Sequence, residues 1–68
     1  MEQIIYNENE PLETLKWINE RKKLIGFTYK ETTKSLYFTV NKYDDFDWIS
    51  VFNKDTITFD GENFRIER

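Results

Sequence analysis

Helical periodicity is confined to one stretch of this chain, Pro11 to Lys23, and nearly everything after it alternates apolar and polar residues in short segments. That contrast restricts the fold more than any other feature. A lone helix can bury its apolar stripe only against the remaining chain, and that remainder reads as strand. At about 100° per residue, Leu12, Leu15 and Ile18 fall on one stripe, bordered by Asn19 and Lys22. Glu13, Lys16, Glu20 and Lys23 fall on the opposite, solvated side. Asn9 or Glu10 is expected to cap the helix, with Pro11 in the first turn, where its missing N–H needs no partner. Acidic residues cluster at the start (Glu8, Glu10, Glu13) and basic ones at the end (Arg21, Lys22, Lys23), which suits the helix dipole. Trp17 belongs to neither side. It is expected either to cover the edge of a sheet or to stand exposed for a partner.

The flanking segments read as strands. Gln3 to Tyr6 is short, apolar and partly β-branched, a candidate N-terminal strand. Gly26 is either a helix-terminating residue or part of the first long strand. Ile25, Phe27 and Tyr29 alternate with Gly26, Thr28 and Lys30. After a turn at Glu31 to Lys34, Leu36, Phe38 and Val40 alternate with Tyr37 and Thr39, so these two runs form an antiparallel hairpin. Asn41 to Asp47 is a polar loop. Trp48 to Phe52 is the next strand, and Thr56–Phe59 and Asn63–Ile66 flank the hairpin signal Asp60-Gly61.

The expected architecture is α+β: one domain, residues 1–68, with a single helix packed on a small antiparallel β-meander of four to six strands, in the order β-α-β-β-β-β-β. If the helix covers Ile25, Phe27, Tyr29, Leu36, Phe38, Val40, Ile49 and Val51, then Tyr37, Trp48 and Phe52 point to the other face. Unless the sheet curls into a barrel, those rings are partly exposed.

With 68 residues, the chain buries only about 60% of its unfolded surface, which makes stability marginal. It has no cysteine for a disulfide and no cysteine or histidine for a structural zinc site. Six Phe, four Tyr and two Trp are the available means of filling a core. The net charge of -3 argues against a duplex-DNA binder, which normally carries a basic footprint. No apolar run approaches a membrane span, the N-terminal residues lack a signal-peptide pattern, and the absence of cysteine suits the cytoplasm. The excess of Lys over Arg, with many Ile and Asn, suggests an AT-rich genome.

Chemistry-bearing patterns are scarce. Asp44-Asp45-Phe46-Asp47 suggests a calcium loop, but the sixth and twelfth positions counted from Asp44 are Ile49 and Asp55, where that loop needs glycine and glutamate. A solvated acidic turn is the better reading, and no metal or cofactor is expected. Without histidine or cysteine, acid–base work would fall to Asp, Glu, Lys or Tyr shifted by a pocket, which so short a chain rarely encloses beside a core. Ser35 and Ser50 lack a glycine elbow and a base partner, and two glycines make no phosphate loop. The chain is therefore expected not to be an enzyme.

Two binding readings remain. In the first, a protein partner docks on Trp17, Tyr37, Tyr43, Trp48 and Phe52, with Asp44, Asp45 and Asp47 as an acidic rim that steers a basic partner. The same rings would serve equally well as a homodimer seam. In the second, single-stranded nucleic acid stacks on Tyr37, Tyr43, Trp48 and Phe52, rimmed by Lys30, Lys34, Lys42 and Lys54. Here Asp44, Asp45, Asp47 and Asp55 would repel phosphate, and the element order fits neither an RRM nor an OB-fold. In size and composition the chain resembles small phage and mobile-element proteins that bind and inhibit a host factor. The resemblance implies a small non-catalytic regulator or inhibitor that occupies a protein surface.

Overall fold

The computed structural model describes residues 1–40 and 48–68. Its elements are β1 (Glu2–Ile5), α1 (Pro11–Arg21), β2 (Gly26–Lys30), β3 (Ser35–Thr39), β4 (Ile49–Val51), β5 (Thr56–Phe59) and β6 (Phe64–Glu67). The α+β class and the strand–helix–strands order are as the sequence predicts. The strands divide, however, into two three-stranded antiparallel sheets, β1-β5-β6 and β2-β3-β4.

The division falls at the turn after β4. Lys54 adopts a left-handed φ of 74°. The Asp55 amide donates to the Phe52 carbonyl, and the Asp55 carboxylate accepts from the Phe52 amide at 2.9 Å. Tyr6 then claims the outgoing backbone: its amide donates to Asp55 O at 2.9 Å, and its carbonyl accepts from Lys54 N at 2.8 Å. These bonds lead β5 onto β1, with Ile4 opposite Ile57 and Ile5 opposite Thr56. The N-terminal strand is thereby a full member of a sheet. Beyond β5, the Asp60 carboxylate accepts from the Glu62 and Asn63 amides at 2.8 Å, and Gly61 supplies the positive φ of 102° that the turn needs.

Helix α1 begins at Pro11. Glu10 occupies the cap position without a side-chain bond. The helix stops at Arg21, two residues before the expected Lys23, because Lys22 turns extended and Asn19 Oδ1 accepts from the Leu24 amide at 3.0 Å. Gly26 therefore belongs to β2 and not to a helix cap. The buried side of α1 is Thr14, Leu15 and Ile18, whereas Leu12 is 74% exposed, contrary to the stripe expected from sequence. The buried face centres on Ile18. Leu12 lies about 120° around from it, while Thr14 lies only about 40° away.

One core unites the layers. Leu15 and Ile18 from α1, Leu36 and Phe38 from β3, Val51, Ile57 and Tyr6 form a contiguous buried cluster. Phe64 on β6 ties its parts together: its ring lies 4.8 Å from Phe59, 6.0 Å edge-on to Phe38 and 6.0 Å from Trp17 on the helix. The expectation that α1 covers Ile25, Phe27 and Tyr29 is overturned. Strand β3 is the buried centre of its sheet and β2 is an edge that overhangs the core, which leaves Ile25 46%, Phe27 54% and Tyr29 36% exposed.

Candidate functional site

The β2-β3-β4 sheet has one face on the core and one toward solvent, and the pairing register assigns its residues. Phe27 opposes Phe38, which opposes Ile49, so this row faces the core side. Thr28 opposes Tyr37, which opposes Ser50, so that row faces outward. Gly26 opposes Thr39, and continuing the register places Trp48 next in the same row. The Trp48 ring reaches back across Thr39 to cover Gly26: a Cβ built on the glycine would come within 3.2 Å of Trp48 Cη2. A Cβ here would require the indole to shift by about a few tenths of an ångström, so the glycine lets the ring lie close against the backbone.

Tyr37 and Trp48 thus lie on one outward face, as the alternation predicts. Beside them is an open groove of roughly 600 Å³, lined also by Thr28, Tyr29, Lys30, Glu31 and Thr32. Trp48 is 43% exposed and Tyr37 half-buried. The Lys30 ammonium sits 5.8 Å from the Tyr37 ring centroid, within cation–π range. An apolar floor with one cation and one carboxylate at its margin is suited to holding a flat or extended group. Among the described residues the groove is open to water and contains no nucleophile paired with a base.

The other sequence-derived candidates lie elsewhere. Trp17 packs on Phe64, and the Arg21 guanidinium stacks 4.0 Å above it while donating to the Trp17 carbonyl at 2.9 Å and to Glu2 at 2.9 Å. Of its two expected roles, covering a sheet edge is the one its position matches, since β6 is an edge strand. Phe52, just past the end of β4, is 39% exposed and lies under the Arg68 guanidinium at 5.4 Å. Arg68 also pairs with Asp55 at 3.3 Å, so Phe52 belongs to that cluster and not to the groove. Tyr43, Asp44, Asp45 and Asp47, together with Lys42, lie outside the described residues. Thr28, Tyr29, Glu31 and Thr32 line the groove without having been singled out from sequence. The hairpin register, once the Glu31–Lys34 turn is located, is the signal that places Thr28 against Tyr37.

Among the described residues no group of three or more acidic, histidine or cysteine side chains is placed to hold a metal ion, and no helix is long and apolar enough to cross a membrane. Comparison with known protein families, curated proteins and solved structures found no match.

Proposed function

We propose that this protein is a non-catalytic binding module, a small cytoplasmic regulator or inhibitor that acts by occupying the surface of a protein partner. The observation that carries this reading is the placement of Trp48 and Tyr37 side by side on a solvent-facing sheet, next to an open groove. Large rings with a polar margin are the usual anchors of protein interfaces. An inhibitor of this kind works sterically and needs no reactive group. The resemblance to small phage and mobile-element proteins belongs to the same reading and rests on size and composition alone.

A second reading has one observation of its own. Lys30 beside the Tyr37 ring, with Trp48 in the same groove, pairs a cation with stacking surfaces, the combination used for single-stranded nucleic acid. The two readings separate by affinity capture from a low-GC bacterial lysate, with and without nuclease, using the wild-type chain and Trp48→Ala and Tyr37→Ala variants. The protein reading expects a stoichiometric partner that survives nuclease and weakens about tenfold or more with Trp48→Ala, in the range of interface hot spots. Capture that vanishes with nuclease, falls steeply with salt and is abolished by Lys30→Glu replaces it with the nucleic-acid reading.

A further inference from the structure

Strand β2 is the longest edge strand among the described elements, five residues against four in β1 and β6 and three in β4. An edge strand presents backbone amides and carbonyls that no neighbour satisfies, and proteins usually blunt such edges with charge, proline or brevity. The other edges are blunted: β1 carries Glu2, β6 carries Arg65 and Glu67, and β4 is short. In β2 the one charged residue, Lys30, stands at the end, and the chain's single proline is in α1. Phe27 and Tyr29 share the core-side face of this edge, together with Ile25 just before it, and all three are exposed.

We propose that β2 pairs antiparallel with β2 of a second copy of this chain, joining two three-stranded sheets into one of six strands about a two-fold axis at Thr28. The strand is symmetric in residue class about that threonine: aromatic Phe27, Thr28, aromatic Tyr29. A two-fold contact must satisfy each residue's pairing twice, and this sequence does so. Phe27 meets the second copy's Tyr29, Tyr29 meets its Phe27, and Thr28 meets itself. Aromatic pairs and Thr–Thr pairs are among the favourable cross-strand neighbours. Charge agrees with the register. Lys30 falls opposite the second copy's Gly26, so the two lysines stand at opposite ends of the seam. Three half-exposed apolar side chains per copy remove only several hundred Å² from water, below the ~1,200 Å² of standard stable interfaces. The dimer is accordingly placed among weak, transient contacts. Thr28, Tyr29 and Lys30 line the groove as well as the seam, so the two adjoin, but the pairing rests on the free backbone edge and on Phe27, which opposes Phe38 on the other face and needs no occupant in the groove.

The absence of native cysteine makes the register directly testable. Sedimentation of the full chain from ~10 µM to ~1 mM should show a reversible monomer–dimer equilibrium. Thr28→Cys should cross-link to itself under mild oxidation. Phe27→Cys should cross-link to Tyr29→Cys in a mixture but poorly to itself. Phe27→Lys, at an exposed site, should weaken dimerisation about tenfold or more while leaving the far-ultraviolet circular dichroism unchanged. A chain monomeric to ~1 mM overturns the proposal, and so does a dimer that Phe27→Lys leaves intact or that cross-links through other positions. Loss of lysate capture by Trp48→Ala with dimerisation unchanged would separate the groove from this edge.

Discussion

Tyr6 is the largest fully buried side chain among the described residues, and two distant segments meet on it. Its backbone bonds the Lys54–Asp55 turn on both sides, and its hydroxyl donates to the Lys34 carbonyl at 3.0 Å. Burial pushes its phenol up to about 12, with Tyr29 and Glu8 adding to the rise. The sign follows from linkage: the folded state holds this proton more tightly than the unfolded chain, whose tyrosines titrate near 10. The contribution is therefore complete below pH 10 and is lost as pH rises from 10 to about 12. Urea denaturation should show stability falling by roughly 2 kcal/mol across that window, and Tyr6→Phe should flatten this part of the profile. Tyr6→Phe should also cost about 1 kcal/mol at neutral pH, through the lost bond and the unpaired Lys34 carbonyl. Nothing in the sequence marks Tyr6 for this role. As the last apolar residue of a short N-terminal run, it reads as a strand end, and only the fold supplies the carbonyl 28 residues away.

At the scale of elements, local rules were legible where they depend on neighbours in sequence. The Pro11 start of α1, the two hairpins and the outward placement of Tyr37 and Trp48 all follow from period and turn chemistry. The rotation of α1 does not. Leu12 and Ile18 are equally apolar, yet one is 74% and the other 0% exposed. Paired alanine substitutions measure the difference. Ile18→Ala should destabilise by about 2–5 kcal/mol, the range for a buried branched side chain. Leu12→Ala should stay within about 0.5 kcal/mol in the same urea titration. Threonine at position 14 disguised the true stripe, because a polar residue in the buried face is invisible to a purely apolar count. Strand β2 misled in the same way: its alternation is that of a half-buried strand, but as an edge it overhangs the core that its partner β3 fills.

For the whole molecule, stability is that of a small domain, roughly 3–10 kcal/mol for a chain of this length. Removing one cross-layer contact should therefore be felt globally. Phe64→Ala takes away the ring that joins Trp17 of the helix, Phe38 of one sheet and Phe59 of the other. It should cost about 3 kcal/mol or more and lower Tm by at least about 10 °C, read by circular dichroism. The same experiment should shift Trp17 emission to the red. What the sequence determined unaided is the inventory: one helix, four to six strands, of which six are found among the described residues, their order, and which residues alternate on each. Those properties arise from backbone geometry and side-chain period, which act over a few residues. The tertiary structure alone decided that the strands split into two sheets at Lys54 and that β5 pairs with β1. It likewise decided that α1 turns Thr14 inward and that β2 is left as an apolar edge. Each of these is set by competition among distant surfaces for one small core, a free-energy difference that no local pattern encodes.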